Sequence, residues 1–243
     1  MIKSCMIRIF CCIAFLVCHK NIAAQNNCTL QLKFCVSANK KPITLGDSSY
    51  QNAFGEIYQL TRLKYYLSNV NTGGTPRRKH NSNVFLLEAG TADSLEINIS
   101  PGTYTKLNFT LGVDSALNNS GAQDGELDPL HGMFWTWNSG YIFFKLEGYS
   151  SASKADLNRI EHHVGGYRFP NNAARHVELQ LPYPLQVAAG DKRVIELMVN
   201  LDDYWKGKNE IKIADQALLM TPGGLAIAAA DNLQSVFSIK SMQ

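Results

Sequence analysis

Much is missing from this 243-residue chain. It has no apolar run fit to cross a membrane. The one early run, "IFCCIAFLVC", is shorter than the roughly 20 residues that a spanning helix needs. There is no basic excess either. The formal charge is +3, but Lys3, Arg8 and Lys20 crowd the first 24 residues, which hold no acid; without those three, 20 of the 23 basic residues remain against 20 acidic ones. A near-neutral body argues against nucleic acid as the partner, because phosphate binding leaves a basic footprint. Catalytic signatures are lacking: no G-x-S-x-G, no H-E-x-x-H, no P-loop, no Cys pair at zinc-finger spacing. Cysteine is scarce beyond the N-terminus, where only Cys28 and Cys35 remain of the six. On one extended strand the steps between these two span roughly 23 Å, whereas a disulfide needs Cα atoms roughly 4.4–6.8 Å apart. Their odd spacing also points them to opposite faces. They read as buried thiols.

The first 24 residues explain the charge asymmetry. Lys3 and Arg8 precede the apolar run, and "NIAAQ" follows it. Basic, then apolar, then small is the order of a secretory signal, with cleavage expected near Ala24. The mature chain is expected to be exported, not membrane-spanning, and periplasmic or held at the cell surface.

Period-two alternation dominates the rest. "CTLQLKFCV" sets Leu30, Leu32, Phe34 and Val36 on one face against Thr29, Gln31 and Lys33. "SLEINI", "YTKLNFTLGV", "HVELQLP" and "RVIELMVNL" repeat the pattern. "VFLLEA" and "GYIFFKLEG" are more continuously apolar. In "FGEIYQLTRLKYYLSNV", aromatic and β-branched residues favour a strand at least from Leu63 to Val70. "NTGGTPRRKHNSN" reads as a polar hairpin tip, "SPGTY" as a tight turn, and "DSALNNSGAQDGELDPLHG" as a loop of unusual length. Only "GGLAIAAADNLQSVFSI" reads as helix. No repeat or linker divides the chain. Residues 25–243 are therefore expected to form one mainly-β domain: an antiparallel two-sheet β-sandwich with long loops and a short C-terminal helix.

The long loop runs into "MFWTWNSGYIFFKLEG". Trp135 and Trp137 stand two apart and share a face if they sit on a strand. His131 and Met133 precede them. Imidazole and soft sulfur suit Cu(I), with a second His supplied from elsewhere. "HHVGG" offers His162 and His163, which point to opposite faces of a strand; alternation with Ile160 and Val164 turns His162 inward. The same residues also suit plain packing, with both rings as core anchors and His131 a loop residue. His80 and His176 sit in polar loop or strand-edge contexts and read as surface residues.

In order along the chain, "LKYYLSNV", "GVDS", "LDP", "GMFWTWNSGY" with "KLEG", "HHVGG" and "ADNLQSVF" resemble the MbnP-like family of exported copper-associated proteins, relatives of the surface copper proteins of methane oxidisers. The central block is the specific part. The resemblance implies a β-sandwich with no enzyme activity of its own. It implies copper held by histidines and by a tryptophan oxidised to kynurenine, which adds an aromatic amine and a carbonyl oxygen. It also implies a dihaem cytochrome c peroxidase-like partner that performs the oxidation. The family pattern selects His163, from its place before the apolar residue and Gly; with His131, which precedes the Trp pair rather than following it, and with Trp135 and Trp137, it makes the expected ligand set. Met133 is a soft contact.

Other chemistries have some material. Asp114, Asp124, Glu126 and Asp128 offer hard oxygens for calcium, and Asn118 and Asn119 add amides. Their spacing does not match an EF-hand, and Asp residues also cap loop backbone. A glycan- or protein-binding β-sandwich would use the Trp pair as a platform. A glycoside hydrolase built on Glu147 would need a second carboxylate; otherwise Glu147 is a structural acid paired with a base or backbone.

Overall fold

The computed structural model describes residues 28–73, 84–136 and 139–243. The segment expected as a signal, most of the "NTGGTPRRKHNSN" tip with His80, and Trp137 lie outside them. The strands are β1 (Cys28–Ala38), β2 (Lys41–Pro42), β3 (Ser49–Gln51), β4 (Ile57–Asn71), β5 (Val84–Glu88), β6 (Ser94–Ile99) and β7 (Gly102–Leu111). A short helix α1 (Ser115–Asn119) precedes β8 (Phe134–Thr136), β9 (Gly140–Tyr149), β10 (Arg159–Gly165), β11 (Arg175–Val187) and β12 (Lys192–Asn200). Then come α2 (Leu201–Trp205), α3 (Ile213–Gln216), β13 (Leu218–Leu219), α4 (Gly224–Leu233) and β14 (Phe237–Met242).

The mainly-β, two-sheet reading holds. One sheet runs β14-β12-β1-β2, with β6 also on β1. The larger runs β11-β7-β4-β9-β10-β13, with β3 and β5 on β4 and β8 on β9. Pairing is antiparallel apart from β1 with β12 and β10 with β13. The alternation of β1 buries Leu30, Leu32, Phe34 and Val36, and places Cys28 with them; Cys35 faces the other way and is half-buried. The two sheets meet through edge-to-face aromatic pairs. Phe34 of β1 meets Tyr65 of β4 at 6.2 Å, and Phe237 of β14 meets Phe109 of β7 at 5.0 Å.

One element extends the sequence expectation and one departs from it. The ambiguous stretch is strand from Ile57 onward, with a bulge between Leu60 and Arg62 that resets its face. The C-terminal helix stops at Leu233, and the chain returns as β14. In α4 the stripe Ala226, Ala229, Ala230 and Leu233 is buried at helical spacing. Two side chains near its end fix the neighbouring segment. Asp231 pairs with Arg175 and Lys208, each at 2.7 Å. Buried Asn232 donates to the Tyr204 and Asn209 carbonyls and accepts from the Asn209 amide.

The inward turn of His162 is borne out. It is wholly buried among Tyr204 and Trp205. Nε2 donates to the Gln216 carbonyl at 2.6 Å, so the neutral ring accepts the Tyr204 hydroxyl proton at Nδ1, also at 2.6 Å. This one side chain ties β10 to α2 and to the end of α3. Burial pushes its pKa down to about 4. The unfolded chain therefore takes up this proton first, and stability falls as pH drops from about 6.5 towards 4. We expect a loss of roughly 3 kcal/mol across that window, read as a falling urea midpoint. The loss should shrink in His162→Gln, and a flat wild-type profile between pH 7 and 4.5 would contradict the assignment.

Candidate metal centre

Tyr65, Phe144 and Leu146 point between the sheets, so Tyr66, Tyr141 and Phe143 point the opposite way. They are buried all the same, because residues 112–133 fold over them. The sequence read this stretch as one long loop; its backbone is fixed step by step. Asp114 caps α1 by accepting from the Leu117 amide at 2.9 Å. Buried Asn118 accepts from the Tyr141 amide at 2.9 Å and donates to the Val113 carbonyl, which pins α1 to β9. The Tyr141 hydroxyl lies within bonding distance of the Gly121 and Leu127 carbonyls, and Tyr66 donates to the Glu126 carbonyl. Asp128 caps the turn Pro129–His131 by accepting from the Leu130 amide at 2.8 Å.

The acids proposed for calcium are used up here. Asp114 and Asp128 are caps, and Glu126 accepts from the Leu86 amide at 3.1 Å. Asp124 is exposed and makes no side-chain cap bond. Asp114, Asp128 and Glu126 serve the backbone at separate points, and nothing in the geometry of the four acids supports calcium. Among the described residues no three His, Cys, Asp or Glu side chains gather at metal-holding distance.

The two candidate histidines are placed differently. His131 is exposed at the end of its turn, and its Nε2 lies 3.0 Å from the Gly125 carbonyl. His163 points outward from β10, is 7% exposed, and its Nε2 lies 2.9 Å from Glu147 Oε1. An oxygen acceptor at Nε2 draws the proton of a neutral ring there and leaves the Nδ1 lone pair. That is how metal-bound histidines are commonly oriented. Lys145 links the two segments. Its ammonium donates to the Gly132 carbonyl, next to His131, at 2.7 Å, and sits 3.4 Å from Glu147 Oε1.

Glu147 is therefore a hub. Arg62 holds its other oxygen at 2.7 Å. The hydrogen bond from His163, with Lys145 and Arg62 nearby, holds its carboxyl down at about 2. Glu161 stands opposite it on β10 and is paired with Arg159, so a second carboxylate does exist. A carboxyl ionised at every physiological pH still cannot serve as a general acid. Glu147 is paired with bases, as the structural reading of that residue expected.

Trp135 is half-buried and lies across Gly165: a Cβ built there would stand 2.9 Å from the indole ring and 2.6 Å from the Tyr141 carbonyl oxygen. Met133 is wholly buried, and its carbonyl accepts from Ile142 at 2.8 Å. Exposed His176 lies on β11, as expected. The sequence reading missed Lys145 and Arg62. The signal was there in "YIFFKLEG": a lysine inside an apolar strand must find partners for its charge.

A family model, MbnP, matches residues 27–223. The chain belongs to the MbnP family. Among solved structures it is similar to MbnP from Methylosinus trichosporium, at 14% identity, with 75% of this chain and 79% of that chain covered and a TM-score of 0.48. No curated protein matches it. This MbnP family member places Phe134 to Thr136 on β8 at one end of β9 and the hub of "KLEG" at the other.

Gly165 tests how tightly the Trp135 side of this centre is packed. Gly165→Ala forces a methyl against a backbone carbonyl and the indole. Overpacking of this kind costs about 1–3 kcal/mol. A lowered urea midpoint with a shifted tryptophan emission is expected; an unchanged midpoint would show that neither the indole nor the Tyr141 carbonyl is held tightly against Gly165.

Proposed function

We propose that this MbnP family protein is exported and handles copper outside the cytoplasm, in acquisition or storage. The observation that carries the reading is the orientation of His131 and His163. Each engages an oxygen acceptor through Nε2, which leaves Nδ1 as the lone-pair nitrogen. They lie in segments joined by Lys145 and Glu147, beside Trp135. His131 and His163 would hold the ion, with Trp135 or Trp137 as the processed ligand and Met133 as a soft contact. Lys145 opposes a cation by charge, and its bonds to the Gly132 carbonyl and Glu147 keep that charge partly neutralised.

In the finer form of the proposal, a dihaem cytochrome c peroxidase-like partner removes four electrons from one tryptophan and passes them to hydrogen peroxide, while water supplies the oxygens. The indole C2–C3 bond opens, C2 leaves as formic acid, and C3 becomes the aryl ketone carbon of kynurenine. The residue then offers an aromatic amine and a carbonyl oxygen, neither of which indole provides. The protein's own part is to hold the ring and the two imidazoles in place.

The test is metal content and peptide mass on protein from its native host, beside the same chain made alone in a foreign host. Native protein is expected to carry copper and a peptide spanning residues 131–140 that has gained one oxygen and lost one carbon. His131→Ala and His163→Ala should each lower bound copper about tenfold or more in affinity. Native protein that is unmodified and stays metal-free when copper is offered would end this reading. The Trp135 region would then be packing or a ligand platform.

A further inference from the structure

At the end of β9, two residues past Glu147, a second feature shares no residue with the metal centre. Ser49, Gln59 and Tyr149 stand opposite one another across β3, β4 and β9. With Ile57, Leu157 and Asn158 they line an open cleft of about 280 Å³. Its apolar members are unusually exposed: Ile57 at 46%, Tyr149 at 47% and Leu157 at 83%. Gly148 allows the strands to close up beneath it, since a Cβ there would collide with the Gln59 carbonyl.

Leu157 and Asn158 both hold left-handed backbone, with φ of 58° and 55°. For a leucine this conformation costs roughly 1–2 kcal/mol, and no burial offsets it here. The surroundings impose it. Asn158 donates to the Ala155 carbonyl and accepts from Ser150, while Ser153 donates to the Arg159 carbonyl at 2.6 Å. Strain that presents an apolar side chain to solvent beside a cleft points to a ligand.

The lining states the ligand's chemistry. Among the described residues no carboxylate, ammonium or guanidinium lines the cleft. Arg159, next in the cross-strand row, is turned to the Asp156 carbonyl and to Glu161. The polar groups are amides and hydroxyls, and Gln59 already donates to Ser49 Oγ at 3.2 Å. A charged ligand would find no counter-charge, and a purely apolar one would strand the amides. A sugar ring has both an apolar face and a rim of neutral hydroxyls. We propose that this cleft binds a neutral glycan, with one pyranose ring against Tyr149 and its hydroxyls on Gln59, Asn158 and Ser49.

The experiment is calorimetric titration of the exported chain with cellohexaose, xylohexaose, mannohexaose and chitohexaose, with a hexamer of galacturonate as the acidic control. At least one neutral oligomer is expected to bind. Tyr149→Ala and Gln59→Leu should each weaken it about tenfold, with copper content unchanged in both. Leu157→Gly, which relieves the strain and so keeps the fold, should weaken it as well. Binding indifferent to Tyr149→Ala, binding of the acidic hexamer alone, or no binding at all overturns the proposal. None of these outcomes bears on the copper reading, because the two sites share no residue.

Discussion

β9 is apolar on both faces over Tyr141 to Phe144, and that sets the organisation of this side of the molecule. One face of the sheet is satisfied by the second sheet. The other would expose Tyr141, Phe143 and Tyr66 to water, so a cover is required. Residues 112–133 are that cover. A covering loop must pair its own backbone, because buried amides and carbonyls cost free energy when left alone. The tyrosine hydroxyls, Asn118 and the capping aspartates do that pairing. His131 and Met133 occupy their positions because they end the cover.

Where the cover stops, the outer face of β9 becomes charged. Lys145 is the transition: its stem is buried, its ammonium closes on the Gly132 carbonyl, and beyond it Glu147 collects Arg62 and His163. The order of these partners matters. Glu147 is held by three bases, so it stays ionised and keeps His163 in one orientation. Removing it would free that imidazole to rotate and leave a largely buried lysine with one partner fewer. The hub is thus a positioning device, whether or not a metal ever uses His163.

The architecture was legible in the sequence because period two is a geometric necessity of a half-buried strand. Leu30, Leu32, Phe34 and Val36 could hardly have pointed elsewhere. The parallel pairing of β1 with β12 was not legible, since alternation says which face is buried and not which strand lies alongside. β14 was hidden because Ala-rich helix and short strand follow each other without a break. His162 and His163 show both sides of this. Alternation predicted that one faces in, and β10 does turn His162 inward. The resemblance selected His163, which β10 turns out to the face that carries Glu147 and Trp135. Calcium and capping could not be told apart in the sequence, because acidic side chains near one another in a loop look alike whether they meet at an ion or each cap a separate turn.

The motifs that carry the resemblance can now be given physical meanings, and most of them are fastenings. "GVDS" supplies the Asp114 cap and "LDP" the Asp128 cap. "KLEG" supplies the hub and the close approach of β4 at Gly148. "HHVGG" supplies the core histidine, the outward one and the flat surface under Trp135. "ADNLQSVF" supplies Asp231, Asn232 and the Phe237 ring between the sheets. A chain can keep all of these to fix one loop over one sheet. The features that separate a metal centre from a well-packed cover are then few: the free Nδ1 of two imidazoles and the state of a tryptophan ring. Family membership therefore bears most directly on the scaffold, and the chemistry rests on those few atoms.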